Sequence, residues 1–190
     1  MTSKYTIEQI VGKVHRLIKK YDETDPFRLV KAMGLILVLQ PMGTDAGCVK
    51  GFFMRHNRIN AIVINSSLPR IMQRIVLAHE IGHSVLHSKK GTFATFHETS
   101  LFSGYDFSEY EANLFASELL LSDETVMDAM QQEQCFSQIS SELLVPPEIL
   151  NYKLRIMKQK GYQTPDTDVV QSNFLKNFEK DAVQGGDFSW

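Results

Sequence analysis

The sequence predicts an α+β fold: a small three-stranded sheet, a central helix carrying an H-E-x-x-H pattern, and a helical C-terminal part. Three observations predict it. Short apolar runs at Leu35–Leu39, Val49–Arg55 and Ile59–Asn65 have the length and composition of strands. Ile71, Ile75, Ala78, Gly82 and Val85 then recur at spacings of four, three, four and three, the period of an amphipathic helix. Further on, Ala112, Phe115, Ala116, Leu119 and Leu120 make a second apolar helix face.

Each element has its own local signal. Thr6 can cap a first helix whose apolar positions are Ile7, Ile10, Val11, Val14, Leu17 and Ile18. A short helix is predicted over 26–33, with Pro26 at its start and Gly34 just past its end. The last two strands flank His56-Asn57-Arg58, which suggests a hairpin in a mixed or antiparallel sheet. An edge strand of such a sheet can take up an extended peptide, and the sequence leaves open which strand is that edge. The central helix is expected around 68–87, followed by a long loop over 88–107. Helices are expected at 123–131, at 135–144 and from Pro147 to Lys160, where Gly161 stops the last. Beyond it, Val170, Phe174, Phe178 and Ala182 recur every four residues in an otherwise polar stretch ending in Trp190.

Composition narrows the class. A chain of 190 residues suggests one domain, or one with a small appendage. A net charge of −2 gives no bulk attraction to nucleic acid. There is no apolar run of about 18 residues, as a membrane-spanning helix would need. Met1–Glu8 lacks the apolar core of a signal peptide. Cys48 and Cys135 are isolated and read as free thiols in a reducing compartment, so a cytoplasmic location is expected.

The chemistry is carried by His79-Glu80-Ile81-Gly82-His83. Residues four apart on a helix share a face, one turn above the other. Two imidazoles so placed can bind one zinc ion at about 2.0–2.1 Å each. Glu80 lies beside that stripe but off it, where it can reach a water and act as a base. Two ligands, a base and an open position are the parts of metal-assisted hydrolysis. A third protein ligand is expected. Glu109 and Asn113 stack four apart on the second site helix, a carboxylate ligand with an amide behind it. The Asn113 carbonyl could accept from the non-ligating N–H of a zinc histidine and fix its tautomer. Glu111 competes for the third place. Ser108-x-x-Glu111 and Asp106-x-x-Glu109 both read as capping boxes, so capping does not decide between the two glutamates. His87, one turn past His83, reads as a supporting or packing residue. His97 and Tyr105, in the long loop, are candidate stabilisers of a tetrahedral oxyanion. His15 and His56 read as surface residues.

Together, His79-Glu80-Ile81-Gly82-His83-Ser84-Val85-Leu86-His87, Glu109-Tyr110-Glu111-Ala112-Asn113-Leu114-Phe115-Ala116 and Leu119-Leu120-Leu121 resemble the ImmA/IrrE family of zinc metallopeptidases. Ile62–Pro69 is similar to that family's strand-then-helix entry, and the resemblance covers roughly residues 5–160. Where the family often has Met-Pro, this chain has Leu121-Ser122, outside the metal site. The resemblance implies a zincin-like, gluzincin endopeptidase. It maps the family's E-x-x-A-N glutamate onto Glu109, so the implied zinc ligands are His79, His83 and Glu109. Several members act on helix-turn-helix repressors of phages or integrated mobile elements, and loss of the repressor switches on the genes it silences. Some carry their own N-terminal helix-turn-helix, for which the stretch ahead of the first strand is too short here. The implied partner is therefore a separate repressor polypeptide.

The implied organisation is a catalytic domain over 1–122, a helical subdomain over 123–162 and a flexible tail over 163–190. Residues 139–160 loosely resemble a helix-turn-helix, with Lys153, Arg155, Lys158 and Lys160 as its positive charge. Glu142 and Glu148 dilute that charge, and packing against the catalytic domain is the preferred reading, so direct nucleic-acid binding is not expected.

Overall fold

A computed structural model of the protein describes residues 4–45, 47–57, 59–87, 107–132 and 135–164. In chain order these form α1 (Ile7–Tyr21), α2 (Pro26–Ala32), β1 (Ile36–Gln40), β2 (Gly51–His56), β3 (Ile59–Asn65), α3 (Arg70–Leu86), α4 (Phe107–Leu120), α5 (Asp123–Gln131), α6 (Phe136–Glu142) and α7 (Pro147–Gln159). The architecture is the α+β one expected from the sequence. The expected elements fall within a few residues of their observed bounds, because the local stop and start signals are strong. Thr6 and Gln9 exchange side-chain and backbone hydrogen bonds in a capping box at the start of α1. Pro26 opens α2 behind an Asp25 cap, and Gly34 follows its end with φ +70°.

The sheet is mixed, with strand order β1-β3-β2. β3 is central, parallel to β1 (Val38 opposite Val63) and antiparallel to β2 (Phe53 opposite Ile62). Among the described residues β1 and β2 are therefore both edge strands. The face bearing Phe53, Ile62 and Ile64 is buried against α3. A Cβ on Gly51 would lie 2.7 Å from Val76 Cγ1, so only glycine lets β2 come this close to α3.

Asn65 ends β3 and shapes the entry to α3. Its buried Oδ1 accepts from Met42 N–H and Ser67 N–H, and its Nδ2 donates to the Gly43 and Val49 carbonyls. One amide thus stands in for the ladder partners that four loop groups would otherwise lack.

The central helix departs from the amphipathic stripe read in the sequence. Ile71, on that stripe, is 44% exposed, whereas Val76 and Leu77, off it, are fully buried. The reason is that α3 is covered on both sides, by the sheet and by α4. Burial around nearly the whole circumference removes the polar face on which a periodicity argument depends. The α3–α4 crossing is close at Gly82, where a Cβ would come within 3.2 Å of the Ala112 carbonyl oxygen and the Phe115 Cβ.

The helices after residue 122 pack onto the rest. Ser122 caps α5, and α7 lies along α4. Lys153 of α7 is 1% exposed and bonds Glu118 of α4 and Asp123 of α5, each at 2.6 Å. Residues 165–190, most of the expected tail, lie outside the described residues.

Candidate active site

α3 sets His79 and His83 one turn apart, with their Nε2 atoms 2.9 Å from each other and their rings edge to face. Glu109, in the first turn of α4, meets them from across the helix crossing. Its Oε2 lies 3.1 Å from His79 Nε2 and its Oε1 3.3 Å from His83 Nε2. Both histidines are buried, while the Glu109 side chain is 32% exposed, so the cluster opens on the glutamate side. The close crossing at Gly82 is what brings the start of α4 within reach of α3.

Asn113 stands one turn beyond Glu109. His79 Nδ1–H donates to its side-chain oxygen at 2.8 Å, so that in the neutral imidazole Nε2, the nitrogen that faces Glu109 and His83, is the one free to bind a cation. The Asn113 amide in turn donates to the Tyr152 hydroxyl of α7 at 3.5 Å, an orientation that keeps its oxygen toward His79. Burial pushes the Tyr152 phenol up to about 12. Nothing in the local sequence marks Tyr152, whose position depends on α7 docking against α4.

His79, His83 and Glu109 each offer a ligand atom, all within 4.8 Å of one another. Their separations approach the edge of about 3.4 Å expected for a tetrahedral shell with bonds of about 2.0–2.1 Å. Glu109 Oε1, buried, faces His83 Nε2 at 3.3 Å and has no other hydrogen-bond partner among the described residues. Electron-pair donors converging in a buried space fit a divalent cation. Burial works against charge on Glu109, but the His83 and His79 imidazoles outweigh it and hold the carboxyl well below its usual range. For His79, burial would lower the imidazole value, and the bonded Glu109 carboxylate more than reverses that.

Glu80 is buried beside this cluster. Burial pushes its carboxyl up, against the pull of His83 and His79. The Phe53 N–H of β2 bonds the Glu80 carboxylate, while Oε2 makes no hydrogen bond among the described residues. Of the two edge strands, β2 is thus the one beside Glu80.

The other candidates fall elsewhere. Glu111 is buried and faces away from the cluster: its Oε1 accepts the backbone N–H groups of Lys4 and Tyr5 at 2.6 and 2.9 Å. α4 begins at Phe107, so Ser108 lies inside the helix and not at its cap. His87 is buried with its ring 5.4 Å from that of His83, outside the ligand group. His97 and Tyr105 lie outside the described residues. His56 and His15 are both exposed; His15 pairs with Glu118 at 2.8 Å, which the sequence did not suggest. Among the residues of the loose helix-turn-helix resemblance, Lys153 is enclosed between α4, α5 and α7. Cys48 and Cys135 are free thiols.

Residues 33–155 match the family model of the IrrE N-terminal-like domain, Peptidase_M78. The chain is 35% identical over 149 residues to "Uncharacterized immunity region protein 2" of Bacillus phage phi105, covering 78% of this chain and 90% of that protein. It is 30% identical over 159 residues to "Metallopeptidase ImmA" of Bacillus subtilis (strain 168), covering 81% of this chain and 89% of that one.

Proposed function

This chain belongs to the IrrE N-terminal-like domain family, Peptidase_M78, and from that membership we propose that it is a zinc-dependent endopeptidase acting on a helix-turn-helix repressor protein. It is a metallopeptidase, and a peptidase acts on protein; zinc and the repressor are the finer reading. The observation that carries it is the convergence of His79, His83 and Glu109 beside the buried Glu80.

In this reading His79, His83 and Glu109 hold the metal, and Asn113 fixes the His79 tautomer. When bound, zinc supplies Lewis-acid chemistry, polarising a carbonyl and lowering the pKa of water. Glu80 is the general base: its carboxylate takes a proton from the attacking water and passes it to the leaving amine. A raised carboxyl value suits both halves of that task, since the proton must be accepted and then released. The substrate lies extended along the edge of β2, the edge strand next to Glu80. A folded helix does not fit such an edge, so cleavage requires a segment of the repressor to open locally.

The relatives support the choice of substrate. One is named for the immunity region of a phage, in keeping with a substrate from a phage or mobile element. No described helix is long and apolar enough to cross a membrane. A cytoplasmic site of action, where repressors work, is part of the proposal.

The test is incubation of the zinc-loaded protein with the helix-turn-helix repressor encoded nearest its own gene, with peptide products identified by mass spectrometry. Discrete cleavage of the repressor, lost in Glu80→Gln and on chelation, is expected, with folded unrelated proteins left intact. A repressor released from DNA without cleavage, equally by wild type and Glu80→Gln, would replace the peptidase reading with one of masking.

A further inference from the structure

Glu111 is a buried carboxylate that the proposed chemistry does not use. It follows Glu109 by two residues, so the two side chains leave α4 about 200° apart. Glu109 turns to the histidines of α3, and Glu111 turns to the segment ahead of α1. There its Oε1 gathers the Lys4 and Tyr5 N–H groups. Its Oε2 is 3.6 Å from His87 Nε2, just past the end of α3. The Tyr5 hydroxyl closes the ring by donating to the carbonyl of Leu86, the last residue of α3, at 3.1 Å.

These contacts tie together three chain segments that are remote in sequence: residues 4–5, the end of α3 and the start of α4. The tie has a position to hold. Glu109 sits in the first turn of its helix, where backbone N–H groups lack partners within the helix and ends fray. The chain between Leu86 and Phe107 is too long for its length alone to fix the distance between the two helix ends. A ligand displaced by about 0.5 Å loses much of its value. We propose that Glu111 is a positioning residue of the metal site: with Tyr5 and His87 it clamps the end of α3 to the start of α4 and so sets where Glu109 stands against His79 and His83. The N-terminal segment thereby becomes part of the site's support.

The clamp rests on the reading of His79, His83 and Glu109 as metal ligands, and the test separates the two. Zinc dissociation constants are measured by chelator competition for wild type, His79→Ala, Glu111→Ala, Glu111→Gln, Tyr5→Phe and Glu118→Ala, alongside thermal midpoints of the metal-free proteins. Glu118 is a buried carboxylate at the other end of α4, so Glu118→Ala controls for general destabilisation. Glu111→Ala is expected to bind zinc about tenfold more weakly or worse, in line with other residues that support metal ligands. Tyr5→Phe should lose about fivefold, the scale of one hydrogen bond. In Glu111→Gln the amide oxygen still accepts both N–H groups, so affinity should return to that of wild type. Glu118→Ala should lower the midpoint without loosening zinc. Wild-type affinity in both Glu111→Ala and Tyr5→Phe would overturn the clamp, and so would equal weakening in Glu118→Ala. Should Glu111→Ala not fold, Tyr5→Phe and Glu111→Gln decide alone. Retention of zinc by His79→Ala would instead overturn the metal-site reading itself.

Discussion

The two ends of α4 each carry a buried charged cluster, and the two are balanced in different ways. At the far end, Glu118 and Asp123 both contact the ammonium groups of Lys153 and Lys160 at 2.6–3.0 Å. Permanent cations of the chain itself close that cluster. At the near end, Glu109 is met by imidazoles, and the groups acting on it most strongly are His83 and His79. A neutral imidazole offers a lone pair and no charge, so the near cluster gathers donors that only a proton or a metal can complete. The far cluster is a structural joint between α4, α5 and α7. The near one has the composition of a cation site, and the difference is that lysine ammonium groups balance the far carboxylates, where His15 also meets Glu118, while imidazoles meet Glu109.

The largest effect should come from the histidines. His79→Ala and His83→Ala are expected to fall from about one zinc per chain to almost none, measured by elemental analysis, with hydrolysis lost. Zinc retained by both would erase the distinction between the two ends. Next comes Lys153→Met, which strips the far cluster of its buried cation. Breaking such a pair costs about 3 kcal/mol or more, read as a lower urea midpoint, while zinc content should stay at the wild-type level. Loss of zinc in this variant would mean that the two clusters are one unit. A finer probe is Asn113→Ala. It should weaken zinc binding by about 10–100-fold by freeing the His79 tautomer, as seen in chelator competition, and an unchanged constant would remove Asn113 from the site.

The smallest effect concerns pH. Burial alone would raise the Asp123 carboxyl, but the bonds from Lys153 and Lys160 outweigh it and hold the group below its ordinary value of 3.8. A lowered carboxylate value contributes stability that is fully present above 3.8 and is lost as pH falls through the folded value. Wild type should therefore lose more stability than Asp123→Asn on acidification below that point. Parallel acid titrations of the two proteins would show that Asp123 contributes nothing through its charge.

Much of this could be read along the chain, and what could not has a common cause. Thr6, Pro26, Gly34 and Gly161 mark helix ends through local backbone chemistry, and the structure keeps all four in those roles. The metallopeptidase character was legible because ligand spacing on a helix is itself local. The direction of β1 was not, since it depends on pairing with β3 across the intervening hairpin. Leu77 escaped the stripe because burial on every side leaves no periodic signal. Glu111 remained a rival ligand on sequence because its partners, Lys4 and Tyr5, stand more than a hundred positions away. Tyr152 and Lys153 were hidden in the same way: adjacent in sequence, one reaches Asn113 and the other Glu118, and only the packing of α7 on α4 shows it.

In the proposed function the near cluster is a hydrolytic metal site in which Glu80 supplies the base. Glu80→Gln tests it most directly, with zinc content and repressor cleavage measured on one preparation. The side chain is not a ligand in this account, so about one zinc per chain should remain, while the amide, unable to accept a proton from water, should leave cleavage undetectable. Cleavage at the wild-type rate with zinc bound would contradict the account.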